Sequence, residues 1–354
     1  MKRERLQNHV AGSVFTLPVC AVVACVMWWL PVFCPTLFPG WVQDPETGLG
    51  LGPQASQLPS LLAPLSKAIG NEQLLDRGLA FLLMVLATCL LVEMNNRNLL
   101  LRIRSRLVSS TWLVAAAVIP AVHLYSRGLV AAVCVAGALY MLFFTYQKRD
   151  CQTGTFHWAL LVGVGSIFVP HVIAFLPFFL WYQLGFLRSM TLRSFCAALV
   201  GCLFPLCLWG GYWVIRSDYS EFINWYESLV SYELLAPENY LSFTIQQVAS
   251  WGLITLLGLL GAIHYLNTSY NDRIQVRMLL YILTCHFFLV ETFVCLQPQH
   301  LDTLMPMLMV LSAPLIAHFF TLTSSWFTNA LFFLSVLAFG ALGYLNLFMP
   351  LLRF

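Results

Sequence analysis

Runs of about 20 apolar residues recur from one end of this chain to the other, separated by short polar knuckles, and few folds tolerate that pattern. A helix needs about 20 such residues to cross a hydrocarbon core about 30 Å thick, where every backbone N–H and C=O must be bonded within the segment. Nine runs qualify: 13–35, 77–94, 107–126, 128–146, 194–214, 246–266, 278–296, 303–322 and 329–350. A large soluble core is no alternative, because its surface would still need charge. Only 9% of this chain is charged, against about 25% in soluble domains. The expectation is an all-α, polytopic transmembrane helical bundle in which 1–354 form a single integral membrane domain.

Residues 156–187 are too long for one comfortable crossing and short for two. Lys148 and Arg149 precede the stretch and Arg188 and Arg193 follow it. The positive-inside rule asks for both pairs on one side. The stretch is therefore expected to enter and return as a Pro-broken helical hairpin turning near Pro170, for about 10–11 spans in all. With the N-terminus inside and the C-terminus outside, thirteen basic and three acidic residues fall inside, against five and ten outside.

The opening Lys2, Arg3 and Arg5 before an apolar run could mimic a signal peptide. The run is long, contains Pro18 and Pro31 and lacks a small-x-small cleavage site, so it reads as an uncleaved first span. The eleven cysteines contain no C-x-x-C pair and most sit in apolar runs, where Cys packs as a small hydrophobe. Nucleic-acid motifs, G-x-S-x-G, Walker-A and H-E-x-x-H are absent. No metal site is expected among the histidines, since none are paired at i, i+4.

Two long outer loops are expected. The first, 36–76, is rich in Gly and Pro and holds Asp44 and Glu46. A carboxylate there can act as a general base toward an acceptor hydroxyl, or hold a divalent metal near a diphosphate; no other cofactor is evident. The second loop, 216–244, places Phe222, Trp225, Tyr226 and Leu229 on one helical face, with Glu221, Asn224, Glu227 and Ser228 opposite. That is an amphipathic helix lying in the membrane interface.

The remaining candidates gather near the knuckle Gln297-Pro298-Gln299-His300. Glu291 lies about 9 Å of helix rise below it, and an ionisable group at that depth normally faces a bundle interior or wet cavity. His300 and Asp302 sit at the outer end, and His171 joins them if the hairpin turns at Pro170. Arg216 and Arg127 are among the few cations on the acidic side, where a lipid-linked phosphate would need one. Each has a plainer reading as a capped turn, a neutral buried carboxyl or a solvated charge.

Two resemblances follow from these segments. The acidic first outer loop, the span count and QPQHLDTLMP at 297–306 resemble the multi-span lipid-linked glycosyltransferases of the C superfamily. Here the late segment carries His300 but no Arg, and the loop acids are Asp44-Pro45-Glu46 rather than a compact pair. NNRNLLLRIRS at 95–105, GSIFVPHVIAFLPFFLWYQLGFLRSMTLRSF at 165–195 and LMPMLMVLSAPLIAHFF at 304–320 are similar to an uncharacterised family of Bacteroidota-type polytopic membrane proteins. That likeness implies a bacterial inner-membrane location and carries no activity.

Three functions stay open on this reading. The first is transfer of a sugar or related group from a polyprenyl-phosphate carrier in envelope glycan assembly. Its catalytic carboxylates would be Asp44, Glu46 and Glu291, and its substrate contacts Arg216, His300, His171 and Asp302. The second is a transporter or flippase using Glu291. The third is a non-catalytic subunit of an envelope or secretion complex, with membrane-protein partners. Membrane lipid is a partner in each, and nucleic acid in none.

Overall fold

The computed structural model describes residues 6–34, 72–102, 105–217, 219–231, 234–235, 240 and 243–349. It is 85% helix and has no strand among the described residues. In chain order the helices are α1 (Leu6–Gly12), α2 (Thr16–Phe33), α3 (Glu72–Asn98), α4 (Leu107–Val118), α5 (Arg127–Phe143) and α6 (Gln152–Phe168). They continue as α7 (Leu176–Trp181), α8 (Leu192–Arg216), α9 (Ser220–Val230), α10 (Ile245–Thr268), α11 (Ile274–Leu296), α12 (Leu301–Leu322) and α13 (Trp326–Phe348). Seven of these, α2, α3, α8, α10, α11, α12 and α13, are long and apolar enough to cross a membrane.

Proline sets the breaks. Ile119, Val169 and Gln297 each precede a proline and leave the helical region (φ/ψ −101°/113°, −129°/99° and −131°/76°). The proline ring crowds the preceding residue out of α geometry, so the helix stops there. A short 3-10 turn follows each time: Pro120–Val122, Pro170–Phe175 and Pro298–His300. The run 107–126 is therefore no single span. It is a 12-residue helix, about 18 Å long, followed by a turn. Pro31 and Pro205, by contrast, are carried inside α2 and α8.

The chain divides into two compact units. One comprises Met1–Ser126, Pro237–Asp272 and Leu308–Phe354, the other Arg127–Ala236 and Arg273–Met307. In the first unit, polar side chains serve the backbone ends that a membrane helix cannot leave open. The Gln7 amide donates to the carbonyls of Phe320 (2.6 Å) and Thr323 (3.0 Å), and Asn346 donates to Val118 O (2.8 Å) at the end of α4. Thr244 with Gln247, and Ser325 with Thr328, form capping boxes at the starts of α10 and α13. A Cβ on Gly261 would stand 2.5 Å from Leu315 O, so α10 and α12 cross with backbones nearly touching.

In the second unit α6 packs on α8 through a reciprocal pair. A Cβ on Gly163 would meet Cys202 O at 2.4 Å, and one on Gly201 would meet Phe156 O at 2.6 Å. After Pro170 the chain returns along α6. Trp158 and Phe179 stack at 5.3 Å, and the Gln183 amide donates to Thr155 Oγ1 at 2.7 Å while its oxygen accepts from Trp158 Nε1 at 3.3 Å. Gln147 N donates to Leu187 O at 2.9 Å, closing the hairpin at its base.

α12 is buried almost throughout, from Leu304 to Thr321. Its sequence is apolar on every face, which is what a helix inside a bundle requires. α8 and α2 instead expose Val200, Leu203 and Leu208, and Val19 and Val22. Apolar residues left outside on spanning-length helices suit a lipid solvent.

Candidate functional site

Within the second unit, the breaks at Pro170 and Pro298 bring two histidines together. His171 is the second residue of its 3-10 turn and His300 the last of its own. Their ring centroids lie 4.3 Å apart at 51°. Phe293, about two turns below on α11, packs its ring 5.2 Å from His171 and 6.0 Å from His300. His171 is buried and His300 half-buried, so one imidazole of the pair reaches the surface.

The knuckle holds a further polar group. Gln297 is 1% exposed. Its backbone is used, since its N–H donates to Phe293 O at 2.9 Å and its carbonyl accepts from His300 N at 3.2 Å. Its side-chain oxygen and nitrogen are both buried without a hydrogen-bond partner. A buried amide left this way costs about 1–3 kcal/mol, and native chains seldom carry that cost without a role.

Other elements close around the pair. A Cβ on Gly128 would fall on the backbone of Thr303, 2.9 Å from its Cα. Glycine alone lets the start of α5 rest on the first turn of α12, and Arg127 and Asp302 are the neighbours of those two residues. The amino ends of α5 and α12 therefore meet beside His300, and helix amino ends favour negative charge. α9 is tied in by Trp225, whose indole donates to Ser166 O at 2.7 Å, one turn before Pro170. Trp209, Phe222 and Trp225 form an aromatic cluster with centroids about 6 Å apart (6.0, 6.0 and 6.1 Å). Leu235 N donates to Leu296 O at 3.0 Å, bringing the loop after α9 onto the end of α11.

The other candidates divide. Glu291 is buried on α11 (8% exposed), and Asp302 is exposed in the first turn of α12. Arg216 stands at the end of α8 with its Nε on Tyr212 Oη at 3.1 Å and its guanidinium 5.5 Å from that ring. Both contacts are with its own helix, not with the histidines. Asp44 and Glu46 lie outside the described residues. Among the described residues no three His, Cys, Asp or Glu are gathered as a metal ion would need.

Phe293 was not read from the sequence as part of the site. The signal was available, since Phe293, Gln297 and His300 recur at i, i+4 and i+7. Gln297 was visible only as a turn residue, because burial is not legible from one polar side chain.

The fold and site together have the build of a multi-pass, all-helical membrane protein with a histidine-lined polar site at paired helix breaks. Comparison with family models, curated proteins and solved structures finds no match to this chain.

Proposed function

We propose that the chain transfers a sugar or related group from a polyprenyl-phosphate carrier at the outer face of a bacterial inner membrane. In this reading the N-terminus is inside and ten or eleven segments cross. The observation that carries it is the His171–His300 pair, two titratable rings 4.3 Å apart at facing helix breaks. Such a pair can hold a phosphate oxygen with one ring and move a proton with the other. The meeting amino ends of α5 and α12, with Arg127 beside them, supply the positive potential a phosphate needs. The aromatic side chains of α9, tied to the end of α6 by Trp225, offer apolar rings on which an isoprenoid chain could pack.

The step breaks the bond between the sugar and the carrier phosphate oxygen and forms one to an acceptor oxygen. The acceptor's proton goes to a base, for which Asp44 or Glu46 is the choice. The carrier phosphate leaves toward His300 and Arg127.

Purified protein in lipid nanodiscs, given a polyprenyl-phosphate sugar and an acceptor glycan, tests the reading. Turnover should fall by about 10²–10⁴-fold in His300→Ala, the range for loss of a positioned acid or base. Turnover in the wild type that His171→Ala and His300→Ala leave untouched would remove the site from the chemistry.

One observation favours transport as the second reading. Residues 170–186 pass through a 3-10 turn, six residues of α-helix and a π-turn at Tyr182–Phe186, beside the helix that carries buried Glu291. Broken helices near a buried carboxyl are how secondary transporters build a site. Proton-coupled flux abolished by Glu291→Gln would establish that reading instead.

A further inference from the structure

The first unit holds a second ionisable cluster, built from residues that are far apart in sequence. Asp272 lies in the turn between α10 and α11, with its side chain only 1% exposed. Arg102, after α3, donates from Nε to Asp272 Oδ1 at 2.6 Å and from a terminal nitrogen to Thr268 O at 3.3 Å. The other carboxylate oxygen, Oδ2, faces Nε2 of His318 on α12 at 3.5 Å, and the His318 side chain is fully buried. His264 on α10 continues the row, its ring centroid 5.6 Å from that of His318. Tyr265 packs edge-on against His318 at 5.4 Å, and Phe319 lies 5.3 Å from His264. The titratable and charged groups facing His318 are therefore Asp272, Arg102, His264 and Tyr265.

The geometry leaves the row half-bonded. A separation of 3.5 Å is an ion-pair distance but too long for a well-formed hydrogen bond. Both ring nitrogens of His318 and Nδ1 of His264 are buried with no hydrogen-bond partner. His318 thus stands beside a carboxylate whose charge is already answered by Arg102. A proton on His318 would change that. An imidazolium and a carboxylate close to about 2.7–2.9 Å as a charge-assisted bond. Two cations would then share one buried anion, and such a surplus is expensive in a low-dielectric interior. Arg102 can relieve it, because its side chain is 37% exposed and can turn to water.

We propose that Asp272, His318 and His264 form a proton-binding site in the first unit, in which an added proton transfers the Asp272 carboxylate from Arg102 to His318. The proton comes from water and stays on an imidazole nitrogen, and no other covalent bond changes. His264 is the second station of the row, near enough to take the proton onward after a small ring movement. The site is separate from the His171–His300 pair and stands whether or not that pair performs transfer.

The test is imidazole and guanidinium NMR on the full chain in nanodiscs, from pH 4 to 8. The His318 signal, identified by its loss in His318→Gln, should titrate in that range. The pH response of that signal should be lost or weakened in Asp272→Asn, where the carboxylate that pairs with the protonated ring is gone. In Arg102→Gln the ring signal should still respond, since the carboxylate remains and the competing cation is gone. The Arg102 Nε–H signal should leave its hydrogen-bonded position over the same pH range, a readout that needs no substitution at His318. A His318 signal that stays fixed from pH 4 to 8, or an Arg102 signal that does not follow it, would overturn the proposal.

Discussion

Replacing Gln297 with methionine should make the ligand-free protein more stable and the working protein worse. The side chain is 1% exposed and neither amide atom has a partner. Methionine has a similar volume and length without the orphaned donor and acceptor. Relief of a buried, unbonded amide is worth about 1–3 kcal/mol. Unfolding entropy is about 2.1 cal/mol/K per residue, so a chain of 354 residues should gain about 1–4 °C. The assay is thermal unfolding in one detergent without substrate, followed by turnover or ligand binding on the same samples. If the amide binds substrate, its removal trades function for stability, so the two readouts should move in opposite directions. A lower melting temperature in Gln297→Met would refute the reasoning, since it would mean the amide is already bonded within the folded protein.

Other outcomes follow from the same geometry. Gly163→Ala should lower stability by about 1–3 kcal/mol in thermal unfolding, because its new methyl meets the Cys202 carbonyl at 2.4 Å and no flexible side chain can yield. Trp225→Ala loses both the bond to Ser166 O and the ring contacts with Trp209 and Phe222. It should raise protease cutting within 219–231 while leaving the hairpin at 152–186 protected. Burial pushes the Asp272 carboxyl up, but the contacts with His318 and Arg102 outweigh it and hold the group below its usual value. A depressed carboxyl stabilises the fold above its unfolded value and loses that contribution as pH falls through the folded one. Wild-type stability should therefore drop below about pH 4 more steeply than that of Asp272→Asn, as a pH series of melting curves would show.

Much of the fold was legible because its causes are local. Apolar runs marked α2, α3, α8 and α10 to α13, and the proline rule placed the break at Pro170. The same rule acts at Pro120, where the apolar run continues past it and masks the end of α4. The site was legible in part. His171 and His300 could be assigned to one face by charge counting alone, without any sign that their rings meet. Arg216 looked available for a phosphate, yet Tyr212 one turn earlier was the simpler partner. What could not be read was long-range. Arg102, Asp272 and His318 stand 170 and 46 residues apart, and nothing in a helical period links them. Gly128, Gly163 and Gly201 are equally silent, since a glycine in an apolar run does not say which backbone comes near.

The most direct measurement for the transfer reading is a profile of carrier lipids by mass spectrometry. It compares membranes from cells lacking the protein, cells restored with the wild type, and cells restored with His300→Ala or with Asp44→Asn and Glu46→Gln together. The account predicts that one polyprenyl-phosphate-linked sugar builds up without the protein, clears with the wild type, and builds up again with either variant. Carrier lipids that stay the same in all of these cells would contradict it.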